Sequence, residues 1–96
     1  MNIGVGIKEV REKFELTQVE VCNRAGLTQG FYSSVETGVN KPSLDTLDKI
    51  AMALGVPVFV IVWLSTNERD IPKKHRIWYN FYHGQISEII DEIKTK

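Results

Sequence analysis

Gln29, Ser33 and Ser34 lie close together in the stretch GLTQGFYSSVETG, residues 26–38. Their amide and hydroxyl groups donate and accept hydrogen bonds but carry no charge at neutral pH. Such groups suit the recognition of polar edges: a glutamine amide matches N6 and N7 of adenine with two parallel hydrogen bonds. They do not suit proton transfer. The chain has no nucleophile with an adjacent base, no glycine-rich phosphate loop and no metal-ligand spacing. His75 and His83 lack both ligand spacing and an acidic partner, and Cys22 is the single cysteine. The expectation is a protein that is not an enzyme and that holds no metal or cofactor.

These side chains need a scaffold, and the surrounding pattern predicts helices. Ile7, Val10 and Phe14 recur at helical spacing among Lys8, Glu9, Arg11, Glu12 and Lys13, which marks an amphipathic first helix. Thr17 and Glu20 have the spacing of a capping box, so a second helix starts there, with Val21, Cys22 and Ala25 inward and Gly26 as its stop. A third starts at Thr28, with Tyr32 and Val35 inward, and ends at Gly38. Two short helices joined by a tight glycine turn form a helix-turn-helix pattern. Ser43 caps a fourth helix with a stripe of Leu44, Leu47, Ala51 and Leu54, Ile50 beside it, and Gly55 at its end.

The run VPVFVIVWL, residues 56–64, reads two ways. Its β-branched residues favour a strand, whereas Pro57 suits a helix's first turn, and a fifth helix is expected. Residues 65–76 have the polar composition of a linker. Ile77, Phe81, Ile86, Ile89, Ile90 and Ile93 then mark a final helix, weakened at Gly84. The chain divides accordingly into a head at 1–64, a linker at 65–76 and a C-terminal helix at 77–96. The expected fold class is all-α.

The totals bound the partners. Ninety-six residues with 43% hydrophobic content make one small domain with a modest core. Twelve basic and twelve acidic side chains cancel, so nothing global draws the chain to a polyanion or a membrane. The longest apolar run is too short to span a bilayer, and the start lacks the pattern of a signal peptide. With one cysteine, a reducing cytoplasm is the expected location. Residues 1–64 hold six basic side chains (Lys8, Arg11, Lys13, Arg24, Lys41, Lys49) and seven acidic ones (Glu9, Glu12, Glu15, Glu20, Glu36, Asp45, Asp48), a balance of minus one.

Ile7, Arg11, Leu16, Thr17, Gln18, Gly26, Leu27, Thr28, Ser33, Val35, Glu36, Gly38, Pro42, Ser43, Leu47, Ile50, Ala51, Leu54 and Gly55 share one register. In that register residues 3–64 resemble the Xre/Cro-type helix-turn-helix domain of phage repressors and many bacterial regulators. The resemblance implies a five-helix, lambda-repressor-like bundle, here with an additional C-terminal helix. It implies binding to double-stranded DNA, usually as a homodimer on a palindromic operator, with the helix from Thr28 to Thr37 in the major groove. On this resemblance Gln18 contacts a phosphate and can brace Gln29. Thr28, Gln29, Gly30, Ser33 and Ser34 face the groove, and Asn40 and Lys41 hold backbone phosphates. Arg11 and Glu36 form a structural ion pair between the first and third helices. The sequence departs from the family at Glu15, where glycine is common, and at Tyr32, where Ile or Leu is usual. It also lacks Arg or Lys on the outer face from Gln29 to Ser34.

So few cations imply a weak single head, and joining two heads recovers affinity through effective concentration. Trp63, Trp78, Tyr79, Phe81 and Tyr82 concentrate aromatic surface near the C-terminus. Trp63, Trp78, Phe81, Ile86, Ile89, Ile90 and Ile93 are the expected dimerisation residues; the alternative is that they fold back on their own bundle. The basic cluster KKHR, residues 73–76, is expected to be solvated. A rival functional reading is a protein-interaction module such as an antitoxin, with DNA binding secondary or lost.

Overall fold

The computed structural model describes residues 1–95, with side chains described through Glu92. Six helices follow one another: α1 (Ile3–Lys13), α2 (Gln18–Ala25), α3 (Gln29–Glu36), α4 (Leu44–Leu54), α5 (Val58–Ser65) and α6 (Arg76–Thr95). Two short 3-10 turns, Glu68–Asp70 and Lys73–His75, lie between α5 and α6. Among the described residues there is no strand.

Local chemistry sets the helix ends. The Thr17 hydroxyl accepts the Glu20 amide while the Glu20 carboxylate accepts the Thr17 amide, a complete capping box at the start of α2. Thr28 caps α3 by accepting from the Phe31 amide, and Ser43 caps α4 by accepting from the Thr46 amide. Gly26 closes α2 with φ 71°, in the left-handed region where glycine has no steric penalty. Glu15 adopts φ 58° at the end of α1, which explains why glycine is common there.

The segment 56–64 is helical from Val58 on, with Pro57 as its N-cap. Its side chains are apolar all round, so no periodicity distinguished helix from strand. Val60, Ile61 and Leu64 point into the core. Leu44 departs from its expected place: it is 75% exposed. It opens α4, and side chains at a helix start lean N-terminally, past the neighbouring elements. Residue 84 does not interrupt α6, which is continuous from Arg76.

The core gathers Ile7 and Val10 of α1, Val21 and Cys22 of α2, Tyr32 and Val35 of α3, Ile50 and Leu54 of α4, Val60 and Ile61 of α5, and Ile90 of α6. The helix α1 packs against both α3 and α5. It can do so because Gly4 and Gly6 carry no side chain. A methyl group at Gly4 would meet the Glu36 carbonyl oxygen at 2.5 Å, and one at Gly6 would meet the Ile61 carbonyl oxygen at 2.5 Å.

Between α5 and α6 the chain is held rather than loose. The Arg76 Nε donates to the carbonyls of Glu68 and Ile71, both at 3.2 Å, and the Tyr79 hydroxyl donates to the Thr66 carbonyl. The rings of Trp63 and Tyr79 lie 5.4 Å apart, and Tyr79 stacks on His83 at the same spacing. Thus Trp63, Tyr79, Ile86 and Ile90 face their own bundle. For Ile90, fully buried in the chain's own core, this replaces the expected role in dimerisation. Trp78, Phe81 and Ile89 point to solvent. The Ile93 side chain lies outside the described residues.

Candidate nucleic-acid interface

The pair α2–α3 presents a neutral face. Gln29 is the first residue of α3 and is exposed, together with Thr28 and Gly30. Ser33 and Ser34 follow one turn later and are half-buried. Among the described residues the amide of Gln29 and the hydroxyl of Ser33 make no hydrogen bond within the chain, so both keep their full capacity for a ligand. Nothing lies within 4 Å of where a side chain at Gly30 would begin, so the α3 backbone is open there. The Thr28 hydroxyl accepts from the Phe31 amide at 3.2 Å and keeps its proton for another acceptor.

Ser34 is differently placed. Its hydroxyl donates to the Phe31 carbonyl at 2.6 Å and accepts from Asn40 Nδ2 at 2.8 Å. The Asn40 amide also donates to the Ser34 carbonyl at 3.1 Å. The serine proton is therefore committed. Ser34 in this arrangement has nothing to donate to a phosphate, though an oxygen lone pair remains for a base amino group. Its evident work is to fasten the loop carrying Asn40 and the exposed Lys41 to α3. That loop faces the start of α1 across a cleft lined by Asn2, Ile3, Gly4 and Lys41.

The charge beneath this face is contained. Arg11 Nε and Nη2 grip Glu36 Oε2 and Oε1 at 2.7 and 3.1 Å, a two-pronged bond. Its remaining nitrogen, Nη1, donates to the Leu16 carbonyl at 2.9 Å and so fixes the α1–α2 turn. Gln18 Nε2 donates to Glu36 Oε1 at 3.2 Å. The amide expected to brace Gln29 thus braces Glu36 instead. The Tyr32 hydroxyl is buried beside this cluster without a hydrogen bond of ordinary geometry.

Burial alone would raise the Glu36 carboxyl. The donors Arg11 and Gln18, with the Tyr32 hydroxyl alongside, outweigh burial and hold it below the ordinary carboxylate range. Hydrogen bonding to Glu36 raises the Arg11 guanidinium in turn. Burial, with Glu36 alongside, pushes the Tyr32 phenol far above its usual value. At neutral pH the cluster is an ion pair, and α3 offers no uncompensated negative charge to a polyanion.

One exposed residue on this face was not among those expected. Phe31 sits in the first turn of α3, 36% exposed, beside Gln29 and Gly30. Its position off the inward stripe of Tyr32 and Val35 was the available signal. An apolar ring at that place is suited to a methyl group rather than to a polar edge.

Comparison with known proteins gives the family. The profile of the helix-turn-helix family matches residues 7–61. The chain is 35% identical to the immunity repressor protein of Bacillus phage phi105 over 98% of its own length and 63% of that relative. It is 35% identical to the cryptic phage CTXphi transcriptional repressor RstR of Vibrio cholerae over 71% of its length and 60% of the relative. It is 34% identical to the antitoxin HigA1 of Mycobacterium tuberculosis over 71% of its length and 45% of the relative. The chain thus spans less than two thirds of the length of each of these relatives.

Proposed function

The chain belongs to the helix-turn-helix family of phage-repressor-like transcription regulators, and we propose that it reads an inverted-repeat operator as a homodimer, with α3 in the major groove. Occupying such a site represses the promoter it overlaps. The observation that carries this reading is the outer face of α3. Its first turn presents Gln29 with an unused amide, while its single charge, Glu36, is turned inward onto Arg11. Gln29 reads adenine, Phe31 meets a thymine methyl, and Thr28 and Lys41 hold phosphates on either side. Gln18 contributes through its exposed helix start and keeps Glu36 in place. Two such faces on one side of the duplex sit about one helical turn, roughly 34 Å, apart.

Enrichment of random DNA on the purified protein tests this. The expected product is an inverted repeat. Gln29→Ala should lose about 1–3 kcal/mol of discrimination at one base pair in each half-site, with unchanged helicity by circular dichroism. Convergence on no sequence, or a Gln29→Ala protein that keeps every preference, overturns the assignment.

A second reading, an antitoxin-like module that binds a protein, is favoured by the likeness to HigA1 and by the balance of minus one on residues 1–64. Co-purification of a stoichiometric foreign protein, together with failure to enrich DNA, would select it.

A further inference from the structure

Ser34 stands one turn beyond Gly30 on the same side of α3. At Gly30 nothing lies within 4 Å of where a side chain would begin, so a duplex can approach this side closely. A free serine hydroxyl would be ambivalent there. By turning about one bond it donates to a keto oxygen or accepts from an amino group, and so distinguishes neither.

The hydroxyl of Ser34 does not have that freedom. Its Oγ lies 2.6 Å from the Phe31 carbonyl oxygen. A carbonyl only accepts, so the single hydroxyl proton goes to it. The Asn40 side-chain amide meets the same Oγ at 2.8 Å. With the proton already placed, the Nδ2 end of that amide must face Oγ, because its oxygen would oppose a lone pair. The Ser34 carbonyl is held too, accepting from the Thr37 hydroxyl and the Asn40 amide, each at 3.1 Å. Ser34 keeps one lone pair for a ligand and no proton.

The major groove offers such a group a definite choice. Every base pair presents one amino donor there, adenine N6 or cytosine N4, and one keto oxygen on the opposite base, thymine O4 or guanine O6. An amino group completes the Ser34 acceptor, whereas a keto oxygen sets lone pair against lone pair. Which strand carries the amino group at that base pair is thereby decided.

We propose that Asn40 and the Phe31 carbonyl lock Ser34 as an acceptor-only reader, which selects adenine or cytosine over guanine or thymine at one position of each half-site. Asn40 is a positioning residue that acts through Ser34. The inference rests on the docking of α3 proposed above and deepens it.

The test compares random duplex DNA enriched on the original chain, on Ser34→Ala and on Asn40→Ala. On the original chain one position of each half-site should favour amino-bearing over keto-bearing bases by roughly tenfold. Ser34→Ala should abolish that preference. Asn40→Ala should cut it to about twofold, because the hydroxyl can then turn outward and donate, while preferences at the other positions stay. Ser34→Thr should retain the selection, since a threonine hydroxyl in a helix makes the same bond to a carbonyl one turn back. A loop that was merely loosened would weaken all sequences alike, and that result overturns the proposal. So does guanine or thymine at the position that Ser34→Ala alters, or a Ser34→Ala or Asn40→Ala protein that keeps every preference. An original chain that enriches an inverted repeat without the amino preference sinks this inference alone. One that enriches no sequence at all sinks the operator reading and this inference with it.

Discussion

Glu36 joins three helices through one carboxylate. Arg11 comes to it from α1 and Gln18 from α2, while the residue itself sits near the end of α3. Removing one member of a buried pair leaves the other uncompensated, so Glu36→Gln should cost about 3 kcal/mol at neutral pH. The pH dependence has a definite sign. The folded carboxyl titrates below its ordinary value of 4.5. Its contribution is therefore complete above that value and is lost as the pH falls through the ordinary value and then the folded one. Urea unfolding at about pH 7 and about pH 3 should show the gap between the original protein and Glu36→Gln narrowing in acid. A gap that stays constant or widens in acid would remove the ion pair from the account. The arrangement also lets the proposed recognition surface tolerate a glutamate, because its charge is held by Arg11.

At the scale of the elements, glycine has two opposite uses. Gly6 is where α1 lies directly on α5, and Gly6→Ala would drive a methyl into the Ile61 carbonyl oxygen at 2.5 Å. The expected loss is about 1–3 kcal/mol. Gly30 has open space around it, so Gly30→Ala should stabilise α3 by about 0.5–1 kcal/mol. If the α3 backbone approaches a base pair at that point, the same alanine weakens DNA binding while raising the melting temperature. Equal or better DNA binding would mean that Gly30 is not at the contact. These two glycines also mark how far the sequence was legible. Caps at Thr17, Thr28 and Ser43 and the turn at Gly26 follow from chemistry within a few residues, and all could be read in advance. The close approach at Gly6 depends on Ser65 and Ile61, far away in the chain, and carried no local sign. The same limit applies to the site. Gln29 could be nominated from type and register, and the structure leaves its amide unused, whereas the commitment of the Ser34 proton to Phe31 and of the Gln18 amide to Glu36 appears only when the helices are assembled. In α6, spacing marked apolar residues on both faces but could not say which face already had a partner.

For the whole molecule, the proposed function raises the question of how a head with a balance of minus one would hold a polyanion. Among the described residues no single helix is long and apolar enough to cross a membrane. α4 and α5 would be long enough only together, and the chain bends by 102° between them. The proposed docking of α3 makes the answer quantitative. Each cation placed on a phosphate contributes about −0.9 to the slope of log K against log salt. Among the described residues, the lysine or arginine on the proposed face is Lys41, since Arg11 is committed to Glu36. The helix starts at Gln18 and Gln29 add partial charges that release fewer counterions. A dimer should then show a slope of about −2 to −4, shallow for a repressor. Lys41→Ala, present in both copies, should remove about 2 of it and weaken all sequences alike. A slope steeper than about −6, or one that falls with Lys73 and Lys74 but not with Lys41, would place the phosphates along the basic start of α6 and require a different docking of the whole molecule.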